Sequence, residues 1–219
     1  MKNDAKITYR ITYTKGDEVK YISHLDFLRC INRAFKRAKL PVKYSQGFNP
    51  HIVQNIALPC PVGVESECEM LDIDMTETVD ISALCENLGN AMPRGIKILK
   101  AKLKDGDAEF FDIDSASYAI DFRAESPIDE KAFDALESFM IEKKSKRGMK
   151  EVNIKDFVKD MHTSKTADLT YHIDATLCAG QALNLKPDLL RSAMSAYYNT
   201  AFKDIKIVRK TIMHNGITF

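Results

Sequence analysis

The order in which alternating segments and amphipathic helices follow one another is the feature that most constrains the fold of this chain. In the first half, the two-residue alternation over Lys6–Tyr13 predicts a strand, and helical spacing from Ser23 to Pro41 predicts a helix. The elements predicted besides these are a short strand at Val19–Ile22, strands at His51–Leu58, Glu69–Met75 and Ile96–Leu103, and a helix over Asp80–Met92. Apart from the short strand at Val19–Ile22, the half therefore follows the order β-α-β-β-α-β.

The second half repeats this order with different residues. Its predicted elements are a strand around Tyr118–Phe122, a helix over Asp129–Met140, a strand-like piece within the polar stretch Glu142–Met161, a strand at Leu169–Leu177, a helix over Pro187–Tyr198 and a strand at Ile205–Met213. We predict an α+β protein with two ferredoxin-like (β-α-β-β-α-β) halves, each with an antiparallel sheet. The predicted domains are residues 1–104 and 116–219, joined by the acidic segment Lys104–Ser115.

The net charge of +1 conceals an uneven distribution of charge along the 219 residues. Residues 1–58 carry 11 basic and 4 acidic residues, a sum of +7, whereas residues 59–93 carry 8 acidic and no basic ones, a sum of −8. A neutral total is therefore compatible with a basic face and a polyanionic partner. The five cysteines are too few for a disulfide framework, and no apolar stretch is long enough to span a membrane. We expect a cytoplasmic protein.

The first predicted helix carries a basic stripe. Arg29, Arg33, Lys36 and Arg37 follow one another at i, i+4, i+7 and i+8, and after Asp26 the next carboxylate is Glu65. Ion pairs between neighbouring turns of the helix therefore cannot explain the stripe. A row of guanidinium and ammonium groups without carboxylate partners is typical of a phosphate-binding surface. The alternative is the solvated face of an ordinary amphipathic helix. Residues 143–150 form a second basic cluster, with the character of a solvated hairpin tip.

A loop with two aromatic residues follows this helix directly. Its candidate binding residues are Tyr44, Ser45, Gly47, Phe48, Asn49, Pro50 and His51. Gly47 permits a positive φ and Asn49-Pro50 favours a turn. Exposed aromatic rings beside a basic helix are the combination that binds single-stranded RNA. The alternative is that Tyr44 and Phe48 fold back onto the core, as most aromatic side chains do.

Acid–base and metal chemistry have weaker support in the sequence. Ser23 and Asp26 have the spacing of a capping box, which explains Asp26, and His24 lies about 200° around the helix from it. His51 is therefore the better partner for His24 in any acid–base pair. No Cys-x-x-Cys pair, phosphate-binding loop or dinucleotide fingerprint occurs. The sequence predicts no cofactor and no metal, and whether the chain is an enzyme stays open.

Two runs of fixed spacing carry a family resemblance. They are Tyr21-Ile22-Ser23-His24-Leu25-Asp26, continuing through Arg29, Arg33, Arg37, Pro41 and Tyr44-Ser45-x-Gly-Phe-Asn-Pro-His51, and Leu58-Pro59-x₃-Gly63-Val64-Glu65-Ser66-x₂-Glu69. In these runs the sequence resembles the radical SAM-linked protein family, a domain of unknown function that is free-standing or fused to the C-terminus of radical S-adenosylmethionine proteins. The resemblance implies a separately encoded radical SAM partner, and it transfers no catalytic residue.

Three functions remain as hypotheses. The first is an accessory protein that binds tRNA or rRNA through the basic stripe and the loop and presents it to a radical SAM enzyme. The second is a protein-interaction module that docks this partner without RNA through two acidic blocks, residues 59–93 (−8) and 105–140 (−9). The third is a metal-independent ribonuclease that uses His24 or His51, and it ranks last because no complete catalytic set is present.

Overall fold

The computed structural model describes residues 7–145, 148–181 and 183–219. The chain divides into two compact units, one ending at Phe110 and the other beginning at Phe111, which we call unit 1 and unit 2. Three α-helices and eleven strands in the described residues confirm the predicted α+β class. In these same ranges, none of the helices has the length and apolar character needed to cross a membrane.

Unit 1 has one antiparallel sheet and two helices. Its elements are β1 (Ile7–Lys15), α1 (His24–Arg37), β2 (Gln54–Ile56), β3 (Glu65–Met75), α2 (Ile81–Ala91) and β4 (Ile98–Leu103). The strands pair in the order β4-β1-β3-β2, and all three pairings are antiparallel. The element order is the one predicted for the first half. The strand predicted at Val19–Ile22 is wrong, because the chain turns there: a 3₁₀ helix covers Asp17–Val19, and the N–H of Ile22 donates to the carbonyl of Val19.

The hydrophobic core of unit 1 lies between the sheet and its two helices. Alternation along β1 places Tyr9, Ile11 and Tyr13 on the buried face, and β3 supplies Leu71 and Ile73 beside them. Tyr9 is paired with Ile73, and Ile11 with Leu71, so the register brings the apolar residues of both strands to one face. The buried residues that the helices add to this core are Phe27, Ile31, Ala34 and Phe35 of α1 and Leu84 and Leu88 of α2.

The opposite face of the same sheet carries buried ion pairs. The Arg10 guanidinium donates to both carboxylate oxygens of Asp72, at 2.8 and 2.9 Å. The Lys104 ammonium lies 3.2 Å from Asp72 and 2.6 Å from Glu109. Because buried charges are costly unless they are paired, this network fixes the residues that follow β4 onto the sheet.

Unit 2 has a five-stranded antiparallel sheet with one helix and a separate hairpin. Its elements are β5 (Ser115–Ala124), β6 (Met140–Ser145), β7 (Gly148–Asn153), β8 (Val158–Ala167), β9 (Thr170–Cys178), α3 (Pro187–Tyr197), β10 (Phe202–His214) and β11 (Ile217–Thr218). The sheet order is β10-β5-β9-β8, β11 pairs with β10, and β6 pairs with β7.

The helix predicted over Asp129–Met140 is wrong. The segment is a series of turns that leads into β6. Side chains distant in sequence bind its backbone instead: the Lys155 ammonium donates to the carbonyls of Phe133 and Asp134, at 3.0 and 3.1 Å, and Tyr198 binds two further backbone groups. These tertiary hydrogen bonds replace the intrahelical ones, so local helix propensity does not decide the structure here.

Candidate nucleic-acid interface

Helix α1 begins with the predicted capping box. The Ser23 hydroxyl accepts a hydrogen bond from the Asp26 N–H at 3.2 Å and donates one to the Asp26 carboxylate at 2.8 Å. The hydrogen bond from Ser23, followed by one from Arg29, holds the pKa of Asp26 below its usual value. His24 is the first residue of the helix and is exposed. Leu25 is 64% exposed, whereas Phe27 packs into the core.

The four basic residues of α1 have three different environments. Arg29 pairs with Asp26, with 2.8 Å between nitrogen and oxygen, so the prediction that local pairing would leave the whole stripe unexplained is wrong for this residue. The Arg37 guanidinium donates to the carbonyl of Ala91 at 2.5 Å and so caps the C-terminal end of α2. Arg33 and Lys36 are exposed, and in the described residues no carboxylate lies within ion-pair distance of either.

The basic block 1–58 and the acidic block 59–93 pair on the sheet and beside it. Asp72 binds Arg10, and the Lys20 ammonium lies 3.7 Å from Glu65 and closer to Asp17. None of the ion pairs that involve this acidic block reaches α1 in the described residues. The exposed part of the helix therefore keeps its positive charge.

The loop from Tyr44 to His51 projects into solvent. Ser45 closes it: its N–H donates to the carbonyl of His51 at 2.8 Å, and its hydroxyl lies 2.8 Å from His51 Nδ1. Gly47 has a φ of +122°, a backbone conformation that residues with a side chain rarely adopt. Phe48 is fully exposed and Tyr44 is 38% exposed, which rejects the alternative that Phe48 folds back onto the core.

The rest of the loop is also accessible, and its histidine is already engaged. Asn49, Pro50 and His51 are exposed. His51 Nδ1 bonds with Ser45 and lies 3.5 Å from the Asn49 carbonyl, and among the described residues it makes no hydrogen bond to His24. The structure therefore does not bring the two histidines together as an acid–base pair.

A hydrogen bond ties the end of the loop to α1. The Gln54 amide donates to the Asn32 side chain at 2.8 Å. Asn32 precedes Arg33 on α1, and Gln54 follows His51 by three residues, which span at most about 10 Å of chain. The exposed aromatic loop and the basic face of α1 are thus neighbours in unit 1.

Sequence reasoning missed a narrow pocket at the start of α1. Lys15, His24, Cys60 and Glu69 line it, together with apolar residues that include Phe27. Lys15 appears in the sequence as a turn residue and Glu69 as the start of an alternating strand, so neither pattern marks a site. Only the sheet register, in which Glu69 is paired with Tyr13 and Ser66 with Lys15, brings the two together.

Two further features of the sequence are its metal-ligating side chains and the basic cluster 143–150. Among the residues that the structure describes, no group of three or more His, Cys, Asp or Glu side chains is placed to hold a metal ion. In the cluster 143–150, Lys146 and Arg147 lie outside the described residues.

The fold and the basic helix with its aromatic loop define an α+β protein with a candidate polyanion-binding surface. The chain belongs to a family of uncharacterized proteins conserved in bacteria, DUF2344, whose model matches residues 8–187. Comparison with curated proteins found no match.

Two solved structures are similar in length but distant in sequence. One is an unknown protein from Galdieria sulphuraria, with 9% identity over 93% of this chain and 98% of that one and a TM-score of 0.28. The other is described as a glycine cleavage system transcriptional repressor, with 12% identity over 94% and 99% of the two chains and a TM-score of 0.25. With TM-scores this low, neither likeness bears on fold or function.

Proposed function

We propose that this protein binds RNA through α1 and the loop Tyr44–His51 and presents it to a radical SAM enzyme. The observation that carries the proposal is the fully exposed Phe48 ring in a loop whose end is tied to α1 by the Gln54–Asn32 hydrogen bond. On this helix Arg33 and Lys36 have no carboxylate within ion-pair distance in the described residues. The resemblance of the sequence to the radical SAM-linked proteins supports the enzyme partner. In this proposal the partner holds the iron–sulfur cluster.

The basic face would contact the sugar–phosphate backbone. Guanidinium and ammonium groups in water bind phosphate with release of counterions, and a single strand loses affinity with a slope of about −0.7 per phosphate contact in a plot of log K against log salt. Arg33 and Lys36 together would then contribute about 1.4 to that slope. Arg29 and Arg37 contribute less, because Asp26 and the Ala91 carbonyl already bind them.

Phe48 would stack on a base. Stacking of a base on an aromatic side chain contributes about 1–3 kcal/mol and tolerates any sequence. Gly47 permits the positive φ of the loop, and Pro50 restricts the backbone two residues after the ring, so less entropy is lost there when the loop binds. Tyr44, 38% exposed at the base of the loop, offers a second surface.

The proposal includes the finer fold assignment of two ferredoxin-like halves. In unit 1 the order β4-β1-β3-β2 with helices between the strands supports it. In unit 2 the equivalent order is β10-β5-β9-β8, with the turn segment and the β6-β7 hairpin in the place of the first helix.

A salt series tests the RNA proposal directly. Fluorescence anisotropy with a labelled single-stranded RNA should give a linear fall of log K with log salt for the full chain. The double variant Arg33→Ala/Lys36→Ala should lower the slope by about 1.4, and Phe48→Ala should weaken binding about equally at every salt concentration. The matched control Lys97→Ala/Lys100→Ala removes two exposed lysines outside α1 and should leave the slope unchanged. A flat salt response, or equal slopes for both double variants, would overturn the proposal.

A second candidate function is a protein-docking module that needs no RNA. The exposed apolar side chains Tyr21, Leu25 and Val62, near the start of α1, favour it, since such groups are common in protein interfaces. Co-purification of a radical SAM protein after nuclease treatment would support docking. Loss of that partner on nuclease treatment would support the RNA proposal instead.

A further inference from the structure

A groove lies between the C-terminal ends of the two helices of unit 1. The residues that line it are Arg37, Ala38 and Lys39 at the end of α1 and Asn87, Asn90 and Ala91 of α2. Its cavity volume is about 600 Å³, within the range of about 300–1,000 Å³ that is typical of sites for small ligands. Because Ala38 and Ala91 carry only a methyl group, they leave this space open.

Two side-chain amides of α2 line the groove, and the fold uses neither of them. Asn87 and Asn90 are exposed, and in the part of the chain that the structure describes neither side chain makes a hydrogen bond. At a spacing of i, i+3 they lie on one side of the helix, with Cβ atoms about 5–6 Å apart. Each amide offers donors and an acceptor together. The pair therefore presents both kinds of group to a ligand.

Lys39 has a backbone conformation that glycine usually adopts. Its φ is +53°, and it follows the cap residue of α1, where helices commonly end in glycine. The Lys39 N–H donates to the Lys36 carbonyl at 3.2 Å, and the Leu40 N–H donates to the Phe35 carbonyl at 3.3 Å. A lysine is strained at this position, and such strain is common at functional sites. It adds to the groove an exposed ammonium group that has no carboxylate within ion-pair distance in the described residues.

The end of α2 and the Lys39 ammonium favour different chemical groups of a ligand. The last carbonyls of a helix have no partner within the helix and carry partial negative charge, so the end of α2 attracts hydrogen-bond donors. Arg37 already binds one of these carbonyls, that of Ala91, at 2.5 Å. An amino group of a ligand suits this end of the helix, whereas a phosphate suits Lys39. A nucleotide with an amino group on its base contains both.

We propose that the groove holds one nucleotide of the bound RNA and that Asn87 and Asn90 recognise its base as adenine. Adenine pairs with a side-chain amide through two hydrogen bonds: its N6 amino group donates to the amide oxygen, and its N7 accepts from the amide nitrogen. Uracil has no amino group, and guanine presents two acceptors at the same edge, which suit arginine or lysine. This inference rests on the proposed RNA binding and adds the base that the protein prefers.

The groove adjoins the basic face of α1. Arg33 and Arg37 are four residues apart, about 6 Å along the helix axis, and therefore lie on the same side of α1. Arg37 extends from this side to Ala91 at the end of α2, so the basic face continues into the groove. Phosphates bound at Arg33 and Lys36 would position the strand whatever its sequence, and the groove would supply the preference for one base.

The experiment uses labelled uridine strands of RNA that differ only in the central base, which is uracil, adenine or 7-deazaadenine. A correct pairing with two hydrogen bonds discriminates against a wrong base by about tenfold or more. The full chain should therefore bind the adenine strand about tenfold more tightly than the uracil strand. 7-Deazaadenine lacks the N7 acceptor, so its strand should lose most of this gain. These comparisons on the unaltered protein do not depend on the folding of any variant.

Variants of the two asparagines locate the preference. Asn87→Ala/Asn90→Ala should abolish it and leave the affinity for the uracil strand unchanged, and the variant should fold because alanine is the better helix former. The matched control is Asn55→Ala, which removes an exposed asparagine of β2 outside the groove and should keep the preference. Equal affinity for the three strands, or a preference that survives the double variant, would overturn the groove assignment alone. Absence of binding to all three strands would overturn the proposed function as well.

Discussion

The Tyr198 hydroxyl holds the segment of unit 2 that does not form the predicted helix. It donates a hydrogen bond to the Asp129 carbonyl at 2.5 Å and accepts one from the Phe133 N–H at 3.0 Å. Burial raises the pKa of Tyr198 to about 12, so the phenol keeps its proton across the ordinary pH range. Tyr198→Phe removes both hydrogen bonds and leaves the ring in place.

The expected loss of stability follows from the burial of the two backbone partners. Phe133 is 0% exposed, so its N–H finds no water once the hydroxyl is removed, and a buried donor without a partner costs about 1–3 kcal/mol. Asp129 is exposed, and its carbonyl is hydrated in the variant at little cost. We expect a free energy of unfolding about 1–3 kcal/mol lower, which lowers the Tm by about 2–12 °C in a chain of this length.

Urea unfolding followed by circular dichroism measures this loss, and the neighbouring tyrosine provides the control. The Tyr197 ring packs edge-on against Phe133 and Phe139, and its hydroxyl makes no hydrogen bond within the described residues. Tyr197→Phe should therefore change the free energy of unfolding by less than about 0.5 kcal/mol. Equal losses in the two variants, or no loss in Tyr198→Phe, would refute the reasoning.

Two further predictions concern pH dependence and α1. His172 lies between two carboxylates, with Nδ1 2.6 Å from Asp121 and Nε2 3.3 Å from Asp174, and the hydrogen bond with Asp121 raises its pKa. The ion pairs of protonated His172 therefore stabilise the folded chain fully below pH 6.5, the ordinary pKa of histidine. This stabilisation is lost as the pH rises through the raised pKa of His172. An NMR titration of His172 with a midpoint at or below 6.5 would contradict this prediction. Arg37→Ala should lower the free energy of unfolding, measured by urea denaturation, by about 1 kcal/mol, because the Ala91 carbonyl loses its hydrogen bond. Arg33→Ala should change it by less than about 0.5 kcal/mol, and equal shifts would show that Arg37 does not cap α2.

Local patterns account for the elements that the sequence predicted well in unit 1. Alternation places Tyr9, Ile11 and Tyr13 on one face of β1, whatever the rest of the chain does. The helix starts are equally local: the Ser23 hydroxyl caps α1, and the Asp80 carboxylate accepts the Ala83 N–H at the start of α2. Such signals need only neighbouring residues, so a single sequence contains them.

The wrong helix in unit 2 and the missed pocket in unit 1 depend on contacts across long stretches of chain. Lys155 and Tyr198 lie more than 20 residues after the carbonyls and N–H that they bind, so no window around Asp129–Met140 contains the competing hydrogen bonds. The pocket likewise needs Lys15 and Glu69, which meet only once β1 and β3 are in register. Helix periodicity predicts which residues lie on the buried face of a helix, but it does not predict which side chains from distant parts of the sequence bind the backbone.

Burial decides which members of the basic block 1–58 are neutralised. Arg10 lies on a buried sheet face, where an unpaired guanidinium is costly, and its pairing with Asp72 is therefore a condition of folding. Arg33 and Lys36 lie on a solvated helix face, where water already stabilises the charge and a salt bridge gains at most about 1 kcal/mol. Folding thus pairs Asp72 of the acidic block with Arg10 and Lys104 on the sheet, while Arg33 and Lys36 have no carboxylate within ion-pair distance in the part of the chain that the structure describes. The positive charge of this helix face is a consequence of where the chain buries its charges, and the net charge of +1 does not reveal it.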